Sequence, residues 1–129
     1  MSRISKAFLR RQSRYRNRIK LAAKKKIASK SNDFTILRLC VSKFSRTIFA
    51  QVINDDLGHT VASVSTLSKS FPANEKSYGV KAADWVARQI SDKMKSIKYN
   101  QIIFDKGGYK MHGIIKTIAE VSRENGLEF

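Results

Sequence analysis

The chain has 129 residues with 26 Lys and Arg against 10 Asp and Glu, a formal net charge of +16 at pH 7, and is long enough for one ordinary domain plus an appendage. Its single cysteine, Cys40, excludes a disulfide framework and a cysteine-based zinc site, and no apolar run approaches the roughly 18 residues needed to span a bilayer. With no secretory signal either, the sequence reads as a soluble intracellular protein whose charge calls for a polyanion, nucleic acid before all others.

The charge is concentrated at one end. Residues 1–30 contain twelve basic residues (Arg3, Lys6, Arg10, Arg11, Arg14, Arg16, Arg18, Lys20, Lys24, Lys25, Lys26, Lys30) and no acid, whereas residues 31–129 hold fourteen basic and ten acidic residues. We therefore divide the chain into a basic arm, 1–33, and a globular domain, 34–129. The arm has neither Gly nor Pro, so helix is permitted. Repulsion between its charges and its scarcity of apolar surface predict a segment disordered when free, helical or extended once phosphates screen it. Tyr15, between Arg14 and Arg16, is placed to stack on a base or sugar. The same composition also fits an organellar transit peptide, although the Lys24, Lys25, Lys26 cluster suits a nucleic-acid arm better.

From Phe34 the pattern has period two, the strand signal. Residues 35–42 alternate Leu37, Leu39 and Val41 with Arg38, Cys40 and Ser42. Residues 47–54 set Ile48, Ala50 and Val52 opposite Phe49, Gln51 and Ile53. Asn54 to Gly58 is a turn, and 59–66 form the third strand of an antiparallel meander. Residues 75–97 then take helical spacing through Ala83, Val86, Ala87, Ile90 and Met94, with Trp85 at the stripe's edge. A short strand, 101–104, a loop, 105–112, and a helix, 113–125, complete the order, with Gly126 as the stop. The order βββαβα predicts an α/β sandwich with a mixed sheet, helices packed on one face and a fourth strand parallel to a neighbour. The other face would stay open, carrying Arg38, Ser42, Phe49, Gln51, His59, Ser63 and Ser65, with Lys43 and Arg46 at the first turn adding positive charge. Such a face can dock RNA through hydrogen bonds, one stacking ring and flanking cations.

The string Phe104 to Gly113 joins a strand to a helix, so its backbone donors, Lys106 and Lys110 lie near a positive helix end. Gly107 and Gly108 would let a phosphate approach the main chain, although the spacing is neither a Walker loop nor GxGxxG. An enzyme is the competing reading: a metal-dependent nuclease or phosphotransferase centred on Asp105 and Lys106, with Asp55, Asp56 and Asp84 as further carboxylates. His59 and His112 fall in different elements and make no metal-binding spacing. A third class is a peripheral protein whose arm seeks anionic lipid.

Ile48-Phe49-Ala50-Gln51-Val52-Ile53, Gly58 to Thr66, Phe104 to Gly113 and Arg123 to Phe129 together resemble the bacterial large-subunit ribosomal protein family that binds 5S rRNA, the eighteenth of the large-subunit series. The resemblance covers nearly the whole chain, and implies a non-catalytic protein without cofactor or metal. It implies attachment of 5S rRNA to 23S rRNA in the central protuberance of a cytoplasmic large subunit, as a monomer beside the other 5S-binding ribosomal proteins. It further implies RNA contact at Phe49, Gln51, His59, Ser63, Ser65 and Thr66 and at Gly107, Gly108, Tyr109, Lys110 and His112. The chain departs from the family in three places. Ile36-Leu37-Arg38 stands where an Arg-Pro-Arg step is common, and Lys106 and Ile114 stand where Arg is frequent, so the loop loses one bidentate fork and one charge.

Overall fold

The computed structural model describes residues 5–29, 37–44, 46–97 and 101–129, and within the first helix the side chains only as far as Ile19. Arg3 and the expected division between residues 33 and 34 lie outside the described residues. The elements run α1 (Lys6–Ser29), β1 (Leu37–Lys43), β2 (Ile48–Asn54), β3 (His59–Ser65), α2 (Val80–Ile97), β4 (Ile102–Asp105) and α3 (Ile114–Glu124). The four strands make one mixed sheet in the order β3-β2-β1-β4. The meander β1-β2-β3 is antiparallel. β4, which follows the α2 crossover, lies parallel to β1, as the βββαβα order predicts.

Alternation fixes the core. Leu39, Val41, Ile48, Ala50 and Val52 have no exposed surface and meet the stripes of the two later helices, Ala83, Val86, Ile90 and Met94 from α2 and Ile115 and Ile118 from α3. Each Val, Leu, Ile or Met among them contributes about 1.5–3 kcal/mol by leaving water, so this layer supplies the driving force for folding. Trp85 packs edge-on against Phe71, ring centroids 5.0 Å apart. Ile114 is buried at the start of α3, so this departure from the family pattern sits in the core. The last helix ends as the sequence requires: Gly126 takes φ 103°, and the Leu127 N–H closes on the Ser122 carbonyl at 3.1 Å.

Local chemistry explains two differences from the sequence reading. α2 starts at Val80, not at residue 75, because Gly79 has φ 115°, a conformation a helix interior does not use. His59 leaves the open face because the β2-β3 register shifts at Val52/Ile53, pairing Val52 with Ala62 but Ile53 with Thr60 and Asn54 with His59. A residue directly opposite another shares its face, so His59 shares the face of Asn54 and Val52, and Thr60 takes its place beside Gln51.

Lys6–Ser29 is a 24-residue helix, one of the two forms, helical or extended, that the sequence allows the arm once its charge is screened. Ser5 caps it, its Oγ accepting the Phe8 N–H at 3.1 Å. Phe8, Gln12, Tyr15 and Ile19 follow one another at intervals of four, three and four, the spacing of one helical face. That stripe gives α1 something to pack on. Its contact is β4, on the face of the sheet opposite α2 and α3.

Candidate nucleic-acid interface

Rows across the sheet define the face beneath α1. Asp105, Cys40, Gln51 and Ser63 align through the paired strands, and Ser42, Phe49 and Ser65 form the adjacent row. α1 covers the β4 and β1 end of these rows: Arg16 reaches the Cys40 sulfur at 3.5 Å and the Asp105 carboxylate at 3.1 Å. The β2 and β3 end stays uncovered, with Phe49 and Gln51 half-buried and Thr60 and Ser63 exposed. Gln51 accepts a 3.5 Å contact from the Thr60 hydroxyl.

Asp105 is the centre of the covered half. Its side chain has 0 % exposure, and one oxygen, Oδ2, accepts from Arg38 Nη1 at 2.6 Å and from Arg16 Nε at 3.1 Å. The other, Oδ1, accepts the Gly107 N–H at 2.8 Å. Arg38 turns its remaining donors to Asp55, at 3.1 Å, and these carboxylates raise its pKa against the opposing effect of burial. Two of the four aspartates weighed for a nuclease therefore do converge, on a guanidinium. Asp84 pairs with Arg88 on its own helix at 2.9 Å. Burial and the nearby Asp105 push the Cys40 thiol upward, so it stays protonated and packs as an inert side chain.

The loop after β4 is consumed in the same way. The Gly107 N–H is taken by Asp105, the Tyr109 N–H by the Lys106 carbonyl at 3.1 Å and the His112 N–H by the Lys110 carbonyl at 2.8 Å. These donors do not point at an external phosphate. Nor is there room for one over the paired glycines: a Cβ on Gly108 would lie 3.1 Å from the Gln12 nitrogen and 3.2 Å from its Cα. The glycines make the floor on which α1 sits. Tyr109 packs its ring on Phe8 at 4.9 Å and donates its hydroxyl to the Lys43 carbonyl at 3.2 Å. Tyr15 donates to the Phe104 carbonyl at 3.1 Å and has Lys106 5.2 Å from its ring centroid, so it is a seam residue and not a free stacking platform. Burial, with Asp105 nearby, raises its pKa. Thr66 is also internal: its hydroxyl accepts the Ile48 N–H at 3.1 Å.

The remaining candidates face outward. Lys6, Arg10, Arg14 and Arg18 recur every fourth residue on the exposed side of α1 with Arg11 beside them, and all five are exposed. Among the described residues no carboxylate pairs with them. α1 contains no acidic residue, so nothing in the helix neutralises the row. Arg46, Lys110 and His112 are exposed on neighbouring loops, and Lys43 and Ser65 are half-buried. Lys20, Lys24, Lys25 and Lys26 continue α1, their side chains outside the described residues. The sequence reading missed the division of α1 into a docked face and a basic face, although the spacing of Phe8, Gln12, Tyr15 and Ile19 carries it.

A cationic helix on a mixed sheet fits many nucleic-acid binders. The family described as ribosomal L18 of archaea, bacteria, mitochondria and chloroplasts matches residues 5–129. The chain belongs to this family. Relatives named large ribosomal subunit protein uL18 include that of Methylorubrum populi, 35% identical over all of both chains. That of Pseudomonas putida is 36% identical over 86% of this chain and 95% of its own, and that of Caldicellulosiruptor saccharolyticus is 41% identical over 71% and 75%. Membership makes this a structural ribosomal protein and not an enzyme, in keeping with an Asp105 carboxylate already satisfied by two guanidiniums and an amide. The family match takes in α1 and the sheet together.

Proposed function

We propose that the protein binds 5S rRNA and helps attach it to 23S rRNA in the central protuberance of the large subunit, as a monomer beside the other 5S-binding proteins. The observation that carries this reading is the exposed row Lys6, Arg10, Arg14 and Arg18 on a helix without acid. Family membership and the shared strings around Gln51, Ser63 and Tyr109 support 5S rRNA as the partner. The row and the uncovered β2-β3 half divide the work. Cations on a rigid helix contact phosphates and supply affinity with little sequence information. Phe49 offers a ring for stacking, Gln51, Thr60 and Ser63 offer hydrogen bonds to bases or 2′-hydroxyls, and Lys110 and His112 are exposed on the loop after β4. We leave Tyr15, Arg16, Arg38, Thr66, Gly107 and Tyr109 out of the proposed contact set, because each makes bonds within the protein.

Filter binding to purified 5S rRNA across a salt series tests the proposal. Neutralising about six to ten phosphates predicts a loss of roughly three to five orders of magnitude in affinity between 50 and 200 mM salt. Equal affinity for 5S rRNA and an unrelated structured RNA would overturn the assignment of partner.

A further inference from the structure

We infer that Asp105 is a positioning residue for RNA binding: acting through Arg16, it locks the rotation of α1 so that Lys6, Arg10, Arg14 and Arg18 form a preset exposed row. The inference rests on the RNA-binding reading above and deepens it.

A buried carboxylate needs a partner, and Arg38, at 2.6 Å and itself nearly covered, already provides one from the adjacent strand. The Gly107 amide fills the other oxygen. Neutralising Asp105 therefore does not require Arg16, yet Arg16 is drawn from a helix whose other exposed cations point outward, and sits on the same oxygen at 3.1 Å while its side chain keeps 33% exposure. What Arg16 adds is a directional bond between α1 and β4. The rest of the α1 seam is a ring on a ring at Phe8, a close backbone approach at Gln12 and an aliphatic contact at Ile19. Packing of this kind holds a helix against a sheet but tolerates rolling. Tyr15 contributes one neutral bond, to the Phe104 carbonyl. Each residue advances a helix by about 100°, so fixing Arg16 fixes where Arg10 and Arg14 point. Through Arg38 the same carboxylate is tied to Asp55 in the β2-β3 turn, which sets the row against the uncovered half of the sheet. A helix preset in this way does not pay for its ordering when RNA arrives.

The test compares Arg16→Gln, Arg16→Lys, Asp105→Asn and the double variant Arg16→Gln/Asp105→Asn in filter binding to 5S rRNA from 50 to 300 mM salt. Arg16→Gln leaves the Arg38–Asp105 pair in place, so it carries the test even where Asp105→Asn loosens the sheet. A positioning role predicts that Arg16→Gln lowers affinity on the order of tenfold at every salt concentration, with the slope of log affinity against log salt unchanged, because fewer molecules hold the competent arrangement. Arg16→Lys, which keeps the charge, recovers part of the loss. The double variant is no weaker than the weaker single variant, since both break one bond. A slope reduced by about 0.7–0.9 in Arg16→Gln would make Arg16 a direct phosphate ligand and overturn the inference. So would unchanged affinity in Arg16→Gln, or additive losses in the double variant. Failure of the unsubstituted protein to prefer 5S rRNA would instead break the underlying reading.

Discussion

Arg10 and Arg16 carry the same charge six residues apart on one helix, and the fold gives them opposite tasks. Arg10 stands on the exposed face of α1 with Lys6, Arg14 and Arg18. Arg16 is turned toward the sheet and spent on a carboxylate with no exposed surface. The loop after β4 shows the same division: Lys110 and His112 are exposed, while Gly107 and Gly108 hold up the helix. Counting charges therefore overstates the number of cations free to meet RNA. The docked face determines which cations remain available, and the exposed face uses them.

The largest effect expected from this contrast lies on the outer row. Replacing Lys6, Arg10, Arg14 and Arg18 together by Ala should reduce the salt slope of RNA binding by about 3 to 4 and the affinity at 0.1 M salt by roughly three orders of magnitude. The melting temperature should hardly move, since all four side chains are exposed and none is in an ion pair among the described residues. Next comes the carboxylate on the inner side. Asp105→Ala removes one of the two carboxylates that hold Arg38, leaving Asp55, and strands the Gly107 amide, so it should cost about 1–3 kcal/mol in urea unfolding, a loss that Arg10→Ala does not reproduce. Gly108→Ala should cost about 1–2 kcal/mol from its left-handed backbone alone. Its Cβ would also meet the Gln12 backbone at 3.1 Å, so amide exchange in the first turns of α1 should rise while that of α2 does not. The smallest effect is Tyr15. Its pKa is raised above 10.0 by burial, with Asp105 adding to it, so the unfolded chain releases this proton first. The contribution is complete below pH 10 and is lost as pH rises through the folded value. Thermal melts above pH 10 should show Tyr15→Phe losing stability less steeply than the parent protein.

Much of this architecture was legible from residue order. The alternation of Leu37, Leu39 and Val41 and of Ile48, Ala50 and Val52 marks the core strands, and the spacing of Ala83, Val86, Ile90 and Met94 marks α2. The shift at Val52/Ile53 was not, because a single extra residue in β3 leaves no mark in an alternation that remains apolar and polar on either side. It moves His59 off the face where strict alternation puts it. The docking of α1 was half-visible: Phe8, Gln12, Tyr15 and Ile19 have helical spacing, but two of the four are polar-capable and twelve cations surround them. The inner network was invisible, since Arg16 and Asp105 are 89 residues apart and Arg38 and Asp105 are 67. No local pattern connects them.

The central claim is that α1 is docked through Phe8, Gln12, Tyr15, Arg16 and Ile19 before RNA is present. Amide hydrogen exchange on the RNA-free protein tests it most directly. Amides of residues 10–19 should exchange far more slowly than those of an unstructured chain, and Asp105→Asn should accelerate them without exposing α2. Exchange of residues 10–19 at unstructured rates in the unsubstituted protein would contradict it, and would make the basic segment an arm that orders only on RNA.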